Sequence, residues 1–179
     1  YSTDGLQWKG YNGGAAPVLP PGGPGAWDAT HASNGSVVRS LNGTWDLWYG
    51  GGDGASTQGI GHATSTDGVT WEMDPANPVM TLGDPGEWDD GTLWVGAVIH
   101  DDSGFRMWYT GNDGQFGRAG YAWSGDGSSW DEHDQNPIID VGPAGAFDEF
   151  FLKPLTVILR DGHYTMWYWA GDFSWEWSV

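Results

Sequence analysis

The feature that most constrains this chain is an internal repeat. The segment Ser65-Thr66-Asp67-Gly68-Val69-Thr70-Trp71 returns as Ser124-Gly125-Asp126-Gly127-Ser128-Ser129-Trp130, and stands at the start as Ser2-Thr3-Asp4-Gly5-Leu6-Gln7-Trp8. After each comes a proline-bearing stretch (Ala16-Pro17-Val18, Asn77-Pro78-Val79, Asn136-Pro137-Ile138), then glycines, then an aromatic residue joined to an aspartate: Trp27-Asp28, Trp88-Asp89, Phe147-Asp148. A valine follows nine residues later (Val37, Val98, Val157). An aromatic strand comes next, Trp45-Asp46-Leu47-Trp48-Tyr49 and its counterparts at 105–109 and 164–168, trailed by Asp53, Asp113 or Asp172.

Trp8, Trp71 and Trp130 stand 63 and 59 residues apart. A unit of that length holds four short strands between Gly, Pro, Asn and Asp turns, and no segment has sustained helical periodicity. The 31 glycines and 14 tryptophans fit the same picture, since stacked sheets need tight turns and bulky filler between them. The expectation is an all-β protein, a β-propeller built of three four-stranded blades of about 60 residues, with units at about 1–62, 63–121 and 122–179. The ends are in phase: Tyr1 placed after Val179 restores the strand that reads Gly61-His62-Ala63-Thr64-Ser65 in the first unit. Two readings follow, a fragment of a longer propeller or a head-to-tail dimer closing a six-bladed ring.

Charge narrows the function. With 24 acidic and 6 basic residues the formal net charge is −18, which repels phosphate backbones and anionic membrane surfaces, so neither nucleic acid nor membrane is an expected partner. The absence of cysteine removes disulfide, thiolate and zinc-thiolate chemistry. The five histidines have no short paired spacing and no Asp-x-Asp-x-Asp-Gly loop occurs, so no cofactor is expected and calcium has only the general acidity in its favour.

The segment from Gly59 to Glu72, with Met107-Trp108-Tyr109-Thr110-Gly111, resembles the blade motifs of the five-bladed propeller glycosidases, the invertase, levansucrase, arabinanase and mannoside-phosphorylase-like superfamily. The resemblance runs over all three units. It implies chemistry at glycosidic bonds by carboxylates in a central funnel, a carbohydrate ligand, and an extracellular or periplasmic setting. The Asn-Asp-Pro and Arg-Asp-Pro tripeptides of the invertase branch do not occur in the chain.

The repeat also sorts residues by role, because what recurs in every unit serves the architecture, and chemistry belongs where the units differ. Asp4, Asp67 and Asp126 read as turn acceptors ahead of glycine. Asp28, Asp89 and Asp148 recur too, at the entry to the innermost strand, where they cap the strand or touch a ligand. The next position differs, Ala29, Asp90 and Glu149, as do His31, Thr92 and Phe151, and then Ser33, Trp94 and Lys153. Glu149 is the candidate general acid, its phenylalanine neighbours desolvating it, with Asp89 or Asp90 as base or nucleophile. Trp94 is placed to stack on a sugar, and Lys153 or His31 to hold a hydroxyl or carboxylate. The alternative is a non-catalytic propeller that binds sugar or is purely structural.

Overall fold

A computed structural model describes residues 1–54, 58–172 and 177–178. Among these residues twelve strands follow one 3-10 turn at Tyr11–Gly14: β1 (His31–Arg39), β2 (Trp45–Gly52), β3 (Gly59–Ser65), β4 (Glu72–Met73), β5 (Met80–Thr81), β6 (Thr92–Asp101), β7 (Gly104–Asn112), β8 (Gly117–Ser124), β9 (Asp131–Glu132), β10 (Phe151–Arg160), β11 (His163–Gly171) and β12 (Trp177–Ser178). There is no α-helix among the described residues, and so none long and apolar enough to cross a membrane.

Hydrogen bonding groups the strands into two sheets. One runs β1-β2-β3-β4 with β5 also on β3; the other runs β12-β11-β10-β8-β7-β6 with β9 on β8. The second sheet is two antiparallel runs joined by one parallel bridge, Phe151 to Gly117, where the expectation had two separate blades. The bridge exists because Gly117 has no side chain: a Cβ there would enter the Phe151 ring. The strands that open the three repeats, β1, β6 and β10, pack side by side.

The repeated residues build repeated devices. In each Ser-x-Asp-Gly turn the aspartate Oδ1 accepts the N–H groups two and three residues on, at 2.9 and 2.9 Å for Asp4, 2.8 and 2.7 Å for Asp67, and 2.9 and 2.8 Å for Asp126. The serine hydroxyl accepts from the glycine N–H, which sits at positive φ in all three turns, a backbone that glycine adopts without steric cost. Asn77 and Asn136 replace a strand residue: each side-chain amide both accepts from and donates to the backbone of His62 or Tyr121. The first unit has Ala16 at that place, and its leading segment is exposed.

Glycines in the aromatic strands make room for rings. A Cβ on Gly51 or Gly61 would meet the Trp27 ring, and one on Gly111 or Gly120 the Trp88 ring. The pre-aspartate ring thus lies flat on glycine backbone beside the following tyrosine, at 5.8 Å between Trp27 and Tyr49 and 5.7 Å between Trp88 and Tyr109. Each opening strand also carries a bulge at the same place, at Ser33/Ser36, Val95/Ala97 and Pro154/Thr156.

The core sits between repeats. Trp48 is fully buried in a cluster with Ile60, Val98, Phe105 and Met107, and its Nε1 donates to Gly127 O of the third repeat at 2.8 Å. Trp108 packs against Val157 in the same way, one repeat later. The third member of each set lies on an outer face, with Trp167 46% exposed and Val37 51% exposed.

Candidate functional site

The repeated aspartates occupy one pocket type. Asp28 and Asp89 are buried and Asp148 half-buried, each with its Oδ1 pressed against a glycine, Gly22, Gly83 or Gly142. In the first repeat Tyr49 donates its hydroxyl to Asp28 Oδ2 at 3.1 Å, and the same hydroxyl lies 2.9 Å from Met73 Sδ. One repeat further on, the place of Met73 is taken by Glu132, and Tyr109 donates to Glu132 Oε2 at 2.6 Å. Asp89 Oδ1 is left buried without a hydrogen-bond partner. Burial, and then the nearby charges of Glu132, Glu87 and Asp90, push the Asp89 carboxyl up to about 6. Both tyrosine hydroxyls are pushed above their ordinary range by burial first and by the neighbouring carboxylates next.

The two unrepeated acids share a local role. Asp90 Oδ2 accepts the Gly86 N–H at 2.6 Å, and Glu149 Oε2 accepts the Gly145 N–H, four residues back in each case. Each carboxylate therefore ties down the glycine turn that precedes its own strand, a turn held at positive φ. Glu149 lines a small cavity of ≈ 170 Å³ with Phe116 and Val141.

A larger cleft lies between the second and third repeats. Its volume is ≈ 380 Å³, and its walls are Trp94, Asn112, Gly114 and Gln115 from β6, β7 and the β7–β8 turn, facing Phe150 just ahead of β10, Phe151 and Lys153 from β10 and Trp169 from β11. Trp94 and Trp169 flank the Phe151 ring edge-on, at 5.5 and 5.8 Å. Thr110 Oγ1 donates to Leu152 O at 3.0 Å and pins the two walls together at the base. Burial lowers the Lys153 ammonium from its ordinary value.

Of the residues singled out in the sequence, Trp94 and Lys153 therefore meet in one cleft. His31 opens β1, half-buried and outside that lining; Asp28, Asp89 and Asp148 lie in their glycine pockets; Asp90 and Glu149 cap their turns. Sequence reasoning missed Phe151 as a wall, Trp169, Asn112, Gln115 and Glu132. Glu132 has a signal in the sequence: Trp71-Glu72-Met73 set beside Trp130-Asp131-Glu132 exposes the exchange of Met73 for Glu132.

One further cluster holds serine, histidine and carboxylates together. His62 lies between Asp46 at 3.1 Å and Asp74 at 3.2 Å, buried against the Trp48 ring. Ser128 from the third repeat donates to Asp74 of the second and not to His62, so the serine has no base and the cluster ties repeats together instead of activating a nucleophile. Burial alone would raise Asp46 and Asp74; their hydrogen bonds to His62 and to Ser40 or Ser128 overcome it and hold both below the usual carboxylate range. Among the described residues no group of histidines and carboxylates is arranged to hold a metal ion.

The profile of the glycosyl hydrolases family 32 N-terminal domain matches residues 33–173. A Mycobacterium tuberculosis (strain CDC 1551 / Oshkosh) protein described only as uncharacterized is 33% identical over 107 residues, 56% of this chain and 34% of its own length. The chain thus spans about a third of that relative. Among solved structures, an N-acetylgalactosamine deacetylase from F. plautii in complex with blood group B trisaccharide superposes with a TM-score of 0.65 over 83% of this chain and 42% of its own, at 21% identity. A family 117 glycoside hydrolase produced by the marine bacterium Zobellia galactanivorans gives 0.66 at 15% identity, over 85% of this chain and 52% of its own. The β-1,2-mannobiose phosphorylase of Listeria innocua gives 0.63 at 17% identity, over 80% and 42%. At such identities the likeness establishes fold, and that fold is the β-propeller of glycoside hydrolase-like proteins.

Proposed function

Because this chain belongs to the glycosyl hydrolases family 32 N-terminal domain family, we propose that it binds a saccharide in the cleft between its second and third repeats. The observation that carries this reading is the composition of the cleft. Trp94, Phe151 and Trp169 supply aromatic surface for the C–H faces of a pyranose, while the Asn112 and Gln115 amides and the Lys153 ammonium supply donors and acceptors for hydroxyls. A volume of ≈ 380 Å³ lies within the ~300–1,000 Å³ usual for small-ligand sites.

Binding without cleavage is the form we favour. Cleavage by a carboxylate pair needs two carboxyl groups flanking the bond. Here Asp90 and Glu149 are engaged by the Gly86 and Gly145 N–H groups, and Asp89 is buried and outside the cleft lining. One observation favours hydrolysis, the elevated Asp89 carboxyl, which holds a proton closer to neutrality than an ordinary aspartate. Calorimetry against a saccharide panel, with wild type, Trp94→Ala and Glu149→Gln, separates the two. Loss of binding in Trp94→Ala alone, with no turnover of aryl glycosides, fits binding; turnover by wild type that disappears in Glu149→Gln establishes the enzyme.

We propose further that the outer faces are complementary. Val98 meets the Trp48 cluster and Val157 meets Trp108 at the two internal junctions, whereas Val37 and Trp167 are exposed. A second copy placed head to tail would bring Val37 against Trp167 and repeat the same junction, with units divided near residues 62 and 121. Light scattering at a mass near 19.3 kDa would sink this assembly.

A further inference from the structure

We infer that the corner formed by residues 1–9 docks on a second copy of this chain, in the cleft beside that copy's Trp108. The inference rests on the head-to-tail reading of the outer faces and adds an exchanged segment to it.

The template for this contact lies inside the molecule. The turn of residues 124–130, between β8 and β9, covers the sheet of β1 to β4. Gly127 O accepts from Trp48 Nε1 at 2.8 Å, Ser128 donates to Asp74, and Trp130 meets the Trp48 ring edge-on at 5.8 Å. The fit is close enough that a Cβ on Gly127 would lie 3.0 Å from the Trp48 ring. Trp48 itself rests on His62 and Phe105, each at 4.9 Å.

The same socket recurs one repeat on, without its cover. Trp108 rests on Tyr121 and Tyr164, the counterparts of His62 and Phe105, at 5.4 and 5.6 Å. Unlike Trp48 Nε1, Trp108 Nε1 has no acceptor among the described residues, although an indole N–H at a buried ring ordinarily finds one. Beside it opens a cleft of ≈ 580 Å³ lined by Tyr121, Trp123 and His133, with the carboxylates of Asp131, Glu132 and Asp134 at its rim. His133 stands where Asp74 stands in the covered socket.

The cover that fits is the one Ser-x-Asp-Gly turn outside a sheet. Tyr1 and Lys9 exchange two backbone hydrogen bonds at 2.7 and 2.9 Å, the pairing that joins Thr64 to Glu72 and Trp123 to Asp131. A sheet corner is therefore already folded, with Tyr1, Leu6 and Trp8 exposed by 70%, 85% and 73%. Lys9 precedes His31 of β1 by 22 residues, as Asp131 precedes Phe151 of β10 by 20, which assigns the corner to the sheet that comes before β1. In the head-to-tail arrangement that sheet is the β10–β12 sheet of the other copy, continuous with the Val37–Trp167 contact. Gly5 then offers its carbonyl to Trp108 Nε1, Trp8 covers the ring as Trp130 covers Trp48, and Leu6 meets His133 where Ser128 meets Asp74. Charge favours the contact too, since Lys9 is the one basic side chain ahead of Arg39 and the cleft is acidic.

The test uses the full chain, which has no cysteine of its own to interfere. Leu6→Cys and His133→Cys are made as separate variants, mixed while reduced and then oxidised, beside a control mixture of Leu6→Cys and Ser103→Cys. A disulfide-linked pair of chains is expected from the first mixture alone, and light scattering of the wild type should give twice 19.3 kDa. Trp8→Ala should weaken association about tenfold or more, the loss usual for a tryptophan at the centre of an interface; circular dichroism verifies that the variant folds. Equal cross-linking in the two mixtures, no cross-link in either, or unchanged association of Trp8→Ala overturns the exchange, and a two-chain mass then leaves the outer-face contact standing. A one-chain mass overturns both.

Discussion

The first and second repeats hold the same aspartate under the same tyrosine and resolve it in opposite ways. In the first, Tyr49 gives its hydroxyl to Asp28, and the thioether of Met73 competes weakly for it. In the second, Glu132 takes the Tyr109 hydroxyl outright, and Asp89 is left with a buried oxygen that nothing satisfies. One residue on a two-residue outer strand thus decides whether an inner carboxyl receives the tyrosine hydroxyl or, as at Asp89, goes without it and is pushed up to about 6. A repeat protein can retune one unit by changing the competitor for a shared donor while leaving the backbone as it is.

The strongest way to break the comparison is Asp89→Asn. The folded Asp89 carboxyl sits near 6 against an ordinary 3.8, so the folded state binds more protons than the unfolded state between these values. Its contribution therefore falls as pH rises through that window and is fully lost above it. Two pH units correspond to roughly 2–3 kcal/mol, and urea midpoints taken from pH 4 to pH 7 should show that decline in wild type and its absence in the variant. Asp46 and Asp74 act at the other end with opposite sign, since their lowered values give stability above about 3.8 that is lost only as pH falls further.

Exchanging the competitor is the next largest test. Met73→Glu should draw the Tyr49 hydroxyl from Asp28 and cost about 2 kcal/mol at pH 7, with part of the loss recovered at pH 5; chemical denaturation at both pH values measures it. The reverse exchange, Glu132→Met, should return the Tyr109 hydroxyl to Asp89 and add about 1 kcal/mol at neutral pH. Carboxyl chemical shifts would then follow Asp89 back toward 4, and an unchanged titration would refute the competitor account. The smallest effect belongs to Glu87→Gln, which removes a secondary charge near Asp89 and should lower its titration midpoint with less than ~0.5 kcal/mol change in stability.

Much of the architecture was legible in the chain. The spacing of the Ser-x-Asp-Gly turns, the glycines beside aromatic residues and the Asn-Pro steps are local rules, and local rules repeat when sequence repeats. Trp94 and Lys153 could be picked out because they differ between units. Phe151 and Trp169 belong to the same cleft, yet the first is one of three differing residues at its repeat position, and the second stands in an aromatic strand whose pattern recurs in every unit. A cleft is made by the approach of two units, and no single unit's pattern states which of its residues meet the next.

The sequence by itself determined the all-β class, the three-fold repetition, the turn aspartates and the strongly acidic net charge, because each depends on residues close together in the chain or on total composition. Only the tertiary structure decided that Asp90 and Glu149 turn back onto their own glycines, that Asp89 goes without the tyrosine hydroxyl that Asp28 receives, and that Lys153 lies among aromatic rings from two repeats. Those outcomes depend on which of several eligible partners lies nearest in space, and competition for a hydrogen bond or for solvent is settled by distances of a few tenths of an ångström that a linear pattern does not encode.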